Sequence, residues 1–210
     1  MKRLVLALIL AAFVGGCQTS GTRGTAPSHG LPKLAATQMD MRDLWVDHIF
    51  WVRSVVVARA NKNKNAESEA EKQVVENARK IAGSIEPFYG QEASKKLFEL
   101  LSGHYGAIKD YINATFPKSR TAQQEEATSK LVSNASEIAT FLSEANPNLP
   151  KDTLLNLLTA HGSHHISQIN EIRNKDFAAE ARTWEIMKNH IYALSDALTA
   201  GIAKQFPDKL

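Results

Sequence analysis

The sequence predicts an all-α protein, an up-and-down antiparallel bundle of about six helices. Three observations predict it. From Gln38 onward, apolar residues recur at three- and four-residue spacing, the period of a helix that buries one face. No stretch shows the strict alternation of a half-buried strand. The periodic segments are long, and short breaks rich in Asn and Pro separate them, which favours antiparallel neighbours.

The first predicted helix runs from about Gln38 to Ala60. Its stripe is Met41, Leu44, Trp45, His48, Val52 and Val55, with Trp51 at the edge. Asn61 to Asn65 is a polar turn. The second helix, about Ala66 to Glu86, carries Val74, Val75, Ala78, Ile81, Ala82 and Ile85. It stops at Pro87, which has no N–H for the ladder. Phe88-Tyr89-Gly90 is a corner whose aromatics cap the bundle's end. The third helix, about Gln91 to Thr115, carries Leu97, Leu100, Leu101, His104, Ile108, Tyr111 and Ile112, and Pro117 marks its end. The fourth, about Thr121 to Ala145, carries Leu131, Ile138, Phe141 and Leu142. Asn146-Pro147-Asn148-Leu149-Pro150 is the strongest turn in the chain. The fifth starts at Lys151 with Leu154, Leu157, Leu158, His161, His165, Ile169 and Ile172. After a break at Asn174-Lys175 the sixth runs to about Lys204, facing Trp184, Met187, His190, Ile191, Leu194, Leu198 and Ile202 inward. Gln205-Phe206-Pro207 closes it. Residues 38–207 are enough for one core, and no second domain boundary interrupts them.

The N-terminus has a different character. Lys2 and Arg3 precede an apolar run from Leu4 to Val14, too short for a finished membrane span and suited to a signal peptide. It ends in Val14-Gly15-Gly16-Cys17, which resembles a bacterial lipobox. That resemblance implies a signal peptide over residues 1–16 and lipid on Cys17, the chain's one cysteine. Gln18, not an aspartate, follows it, which implies sorting to the outer membrane with the domain facing the periplasm. Residues 17–37, rich in Ser, Thr, Gly and Pro, read as a flexible tether. Several acyl chains make stable anchoring, so the expected partner is the membrane, through Cys17. Without Lys2 and Arg3 the chain keeps 23 basic against 22 acidic side chains, a net charge near +1. A nucleic-acid binder's basic footprint is therefore missing.

Four histidines lie on apolar stripes, each near the middle of its helix: His48, His104, His161 and His190. Antiparallel helices of similar length bring their midpoints together, so these side chains are placed to share one layer. His161 and His165 add an i, i+4 pair on one helical face. Imidazole suits zinc and copper, so His48, His104, His161, His165 and His190 are candidate metal or ligand-binding residues. Trp45, Trp51 and Arg53 are candidate supporting groups. The competing reading makes the histidines core residues, each hydrogen-bonded to a neighbour such as Tyr105, Tyr111, Asn134, Asp196 or Arg53. No Glu-x-x-His pair of a di-iron bundle occurs, nor a phosphate loop, nucleophile elbow or zinc-protease motif. Catalytic function is not expected.

Leu44-Trp45-x-x-His48-x-x-Trp51-x-Arg53, Phe88-Tyr89-Gly90, Leu100-Leu101-x-x-His104, Phe141-Leu142-Ser143-x-x-Asn146-Pro147, His161, Asp196 and Gln205-Phe206-Pro207 occur in that order. In this the chain resembles a family of small helical bacterial proteins, some of which carry an acetylglutamate kinase label. The label does not suit a chain without an α/β pattern or a phosphate loop. The resemblance spans about Gln38 to Pro207 and implies that Trp45, His48, Trp51, Arg53, His104 and His161 belong to a shared site or shared core. It leads one to expect an acidic residue before His104, where this chain has Gly103. Two functions follow: a membrane-anchored lipoprotein binding a metal ion or small ligand mid-bundle, or a non-catalytic structural or interaction lipoprotein.

Overall fold

The computed structural model describes residues 32–210, which hold helices and no strand. In chain order they are α1 (Lys33–Ala60), α2 (Lys64–Ser84), α3 (Glu86–Tyr89), α4 (Gln91–Thr115), α5 (Thr121–Ala145), α6 (Lys151–Asn174) and α7 (Phe177–Gln205). A 3₁₀ turn, Pro207–Lys209, follows. Six of these are long helices, as expected. Cys17, the signal peptide and most of the tether lie outside the described residues.

The helix ends follow local chemistry. Asn63 caps α2 by accepting from the Ala66 N–H at 3.1 Å, and Asp176 caps α7 by accepting from the Ala179 N–H at 2.9 Å. Two boundaries differ from expectation. Residues 33–37, expected in the tether, form the first turn and more of α1. They bury little, and Leu34 is exposed, so they extend a helix that the packed residues after Met41 have already nucleated. The Phe88-Tyr89 corner is a helical turn because Pro87 sits in its first turn, where a missing N–H costs nothing.

The core has two apolar halves. One contains Trp45, Ile49, Ile81, Leu97, Ile138, Leu158 and Leu194. The other contains Val52, Val56, Val74, Ile108, Leu131 and Ile169. Their order along the chain gives each helix its direction. α1, α4 and α6 each pass from the first half to the second; α2 and α5 run back. α7 finishes in the first half with Leu198 and Ile202. Up-and-down alternation follows.

Helix α1 packs on α2 and α7, and the ring closes through α2 on α4, α4 on α5, α5 on α6 and α6 on α7. Across this ring, α6 also touches α1 and α4. The three helices that run in the same direction therefore meet at the centre. Close approach is built in at Gly162 on α6, where an added Cβ would lie 2.9 Å from Leu131 Cδ2 of α5.

Three turn motifs far apart in sequence close one end of the bundle. Asn146 donates through Nδ2 to the Tyr89 hydroxyl at 2.8 Å, which donates to Gln205 Oε1 at 2.9 Å. Gln205 Nε2 donates in turn to the Ala145 carbonyl at 3.0 Å. The Phe206 ring packs on Phe88 and Tyr89, with centroids 5.7 and 5.2 Å away.

Candidate metal centre

The boundary between the two core halves is made of histidine. On α1, His48 falls between Trp45 of the first half and Val52 of the second. On α4, His104 follows Leu101 and precedes Ile108; on α6, His161 and His165 fall between Leu158 and Ile169. All four side chains are 4 % exposed or less. Their six ring–ring separations run from 4.5 to 6.4 Å. One nitrogen from each lies within 4.8 Å of the other three, and no carboxylate joins the group.

The i, i+4 pair brings His161 Nε2 and His165 Nε2 to 3.2 Å. Two nitrogens held by one tetrahedral ion at about 2.0–2.1 Å sit about 3.3 Å apart. That pair already has the spacing of chelating ligands. One nitrogen each of His48 and His104 lies within 4.8 Å of that pair.

Hydrogen bonding leaves most of this group unserved. His48 Nε2, both nitrogens of His104, His161 Nδ1 and His165 Nδ1 are buried and meet no protein partner. Each orphaned polar atom costs about 1–3 kcal/mol. The neighbours that the competing reading needs are engaged elsewhere or turn away. Tyr111 pairs with Asn170 (3.0 Å), Asp196 with Arg42 (2.7 Å) and Arg53 with Glu180 (2.6 Å), while the Tyr105 hydroxyl meets no partner. Asn134 donates to the Leu100 carbonyl at 3.0 Å; it slightly favours charged His104 but does not reach hydrogen-bond geometry with it.

Electrostatics keep the imidazoles in the form that binds metal. Burial, then the charge of neighbouring His104, lowers the pKa of His48 to about 3. Burial lowers His104 to about 4. His161 and His165 fall well below the usual histidine value, again through burial first and the other histidines second. At neutral pH all four rings are uncharged, each with one lone-pair nitrogen, and one of the His161 and His165 Nε2 atoms donates to the other.

The sequence-predicted residues divide in three. His48, His104, His161 and His165 come together. Trp45 covers them, its ring edge-on to His48 at 6.0 Å and to His161 at 6.4 Å. The others do not join. His190 is outside the group: its Nε2 donates to the Leu157 carbonyl at 2.9 Å, and its ring is half-buried 6.5 Å from His161. It sits on α7, which packs on α6 and α1 from outside the central trio, so an equal depth along the helix does not put it in the central cluster. Trp51 stacks edge-on with Phe50 at 5.0 Å in the second half of the core. Arg53 makes a two-pronged ion pair with buried Glu180, which also accepts from Gln168 at 3.0 Å. That tie binds α1, α6 and α7 together. It was missed in the sequence, because nothing local marks Glu180 or Gln168 as buried.

Gly103, standing where an acidic residue is expected, also has a packing reason. A Cβ there would lie 3.2 Å from the Asn134 amide, which would crowd the bond that joins α5 to α4. Helix α4 thus offers His104 and no carboxylate.

Comparison with protein families, with curated proteins and with solved structures gives no match for this chain. Among the described residues no helix is long and apolar enough to cross a membrane.

Proposed function

We propose that this protein binds one zinc or copper ion through His48, His104, His161 and His165. The observation that carries the reading is one layer of four buried histidines, a nitrogen of each within 4.8 Å of the others, in which His48 Nε2 and both nitrogens of His104 meet no protein partner. A metal ion takes one nitrogen from each ring, so with His161 and His165 bound through Nε2 it also gives a partner to His48 Nε2 and to one nitrogen of His104. Four protein ligands complete a tetrahedral shell and leave no open position for substrate, so the role is binding and not catalysis. With four neutral ligands the ion's charge is buried uncompensated. A cuprous ion brings half the charge of zinc and costs less to desolvate.

The test is elemental analysis of the purified protein, then melting in chelator, in zinc, and in copper under reducing conditions. An ion at about 1,000 times its dissociation constant adds about 4 kcal/mol, or about 8–16 °C for a domain of this size. A melting temperature indifferent to all three conditions refutes the metal reading and returns the histidines to a structural role.

The motif at Cys17 supports a second part of the proposal, attachment to the bacterial outer membrane through lipid on that cysteine. In Cys17→Ser cells the protein is expected in the soluble fraction or as an uncleaved precursor. Membrane retention of this variant through a high-salt wash would point to another anchor.

A further inference from the structure

The four ligands are sealed from solvent, so an ion needs a way in. Among the described residues, two histidines are left over, and both are only half-buried: His164 and His190. They lie edge-to-face with ring centroids 5.2 Å apart. His190 is next to the buried group, its ring parallel to that of His161 (7°) at 6.5 Å. His164 is three residues from His161 on the same helix, where side chains are surface neighbours. The chain of rings from solvent to the centre is therefore His164, His190, His161.

The tautomer of His190 is determined by its partner. A carbonyl oxygen only accepts, so His190 Nε2 carries the hydrogen that it gives to Leu157, and the lone pair of the neutral ring is on Nδ1. This is how metal-ligating histidines are usually held: one nitrogen donates to a fixed acceptor and the other faces the ion.

We propose that His164 and His190 form a partly exposed capture site for the same zinc or copper ion, which passes from there to His161 and the buried layer. The inference rests on the metal reading above. Transfer is ligand exchange: as His161 donates a lone pair to the ion, the bond to His164 or His190 breaks and its lone pair returns to that ring. No electron moves, and the hydrogen that one of the paired His161 and His165 Nε2 atoms carries shifts to that ring's Nδ1 as the ion binds.

A path to a site, unlike a ligand in it, changes the rates of loading and release by the same factor and leaves the equilibrium untouched. The test uses cobalt(II), whose visible absorption reports a tetrahedral site, mixed rapidly with the purified wild type and with a His164→Asn, His190→Gln double variant. The glutamine amide keeps a donor for the Leu157 carbonyl, and an unchanged melting temperature in chelator confirms the fold. Where the double variant does not fold, His164→Asn alone makes the same comparison. The expected result is loading and chelator-driven release both slowed about tenfold, with the final spectrum and affinity unchanged. Wild-type rates in the variant overturn the capture site and leave the metal site standing. A weakened affinity with altered spectrum also overturns it, making these residues ligands. Absence of a cobalt spectrum in the wild type overturns the capture site and the zinc reading together.

Discussion

His104→Leu is expected to raise the melting temperature in chelator and to lower it, relative to wild type, in saturating zinc or copper. The two effects have different sources. Both nitrogens of His104 are buried without a protein partner, and leucine has a similar volume with no polar atom. Removing the orphans relieves about 1–3 kcal/mol of desolvation cost, or up to roughly 10 °C. The same change removes one of four ligands, so most of the metal-dependent gain of about 4 kcal/mol is lost. The melting curves of the two proteins should therefore cross in rank when metal is added. A variant less stable than wild type by the same amount in both conditions would mean that His104 makes favourable core contacts and no metal bond.

Acid should unfold the metal-free protein over a window that these histidines define. Their pKa values are depressed in the native state, to about 3 for His48 and about 4 for His104, and lie near 6.5 in the unfolded chain. Above pH 6.5 neither state binds the extra protons and stability is full. As pH falls below that value the unfolded chain takes them up and the native state does not, so stability drops towards pH 4. Each group contributes at most about 1.4 kcal/mol per pH unit, so His48 and His104 alone give up to about 2.7. His161 and His165 act in the same direction. Denaturant melts in chelator from pH 7.5 to 4 measure the slope, and His104→Leu should reduce it by about one group's share. Stability that is flat across this range would show that the four rings are not held neutral by burial.

Much of this protein was legible in its sequence because helix formation and stripe burial are local. The 3.6-residue period of Met41, Trp45, His48 and Val52, or of Leu97, Leu101, His104 and Ile108, needs no knowledge of a partner to be read. The breaks at Pro87, Pro117 and Asn146 to Pro150 place the turns by backbone chemistry alone. The same period marked His48, His104, His161 and His165 as buried, and burial is what makes them chemically unusual. Depth along a helix was legible too, which is why His190 was grouped with them. Azimuth was not. Whether a mid-helix residue reaches the centre depends on which helices cross the ring, and only the tertiary structure decided that α1, α4 and α6 do. Helix α7 packs on α6 and α1 from outside this trio, so His190 meets the Leu157 carbonyl and not the four-histidine layer. The family resemblance likewise points to Arg53 as a residue of a shared site or core. Its partner Glu180 lies on another helix, 127 residues away in sequence, and a contact at that range exists only once the ring has closed.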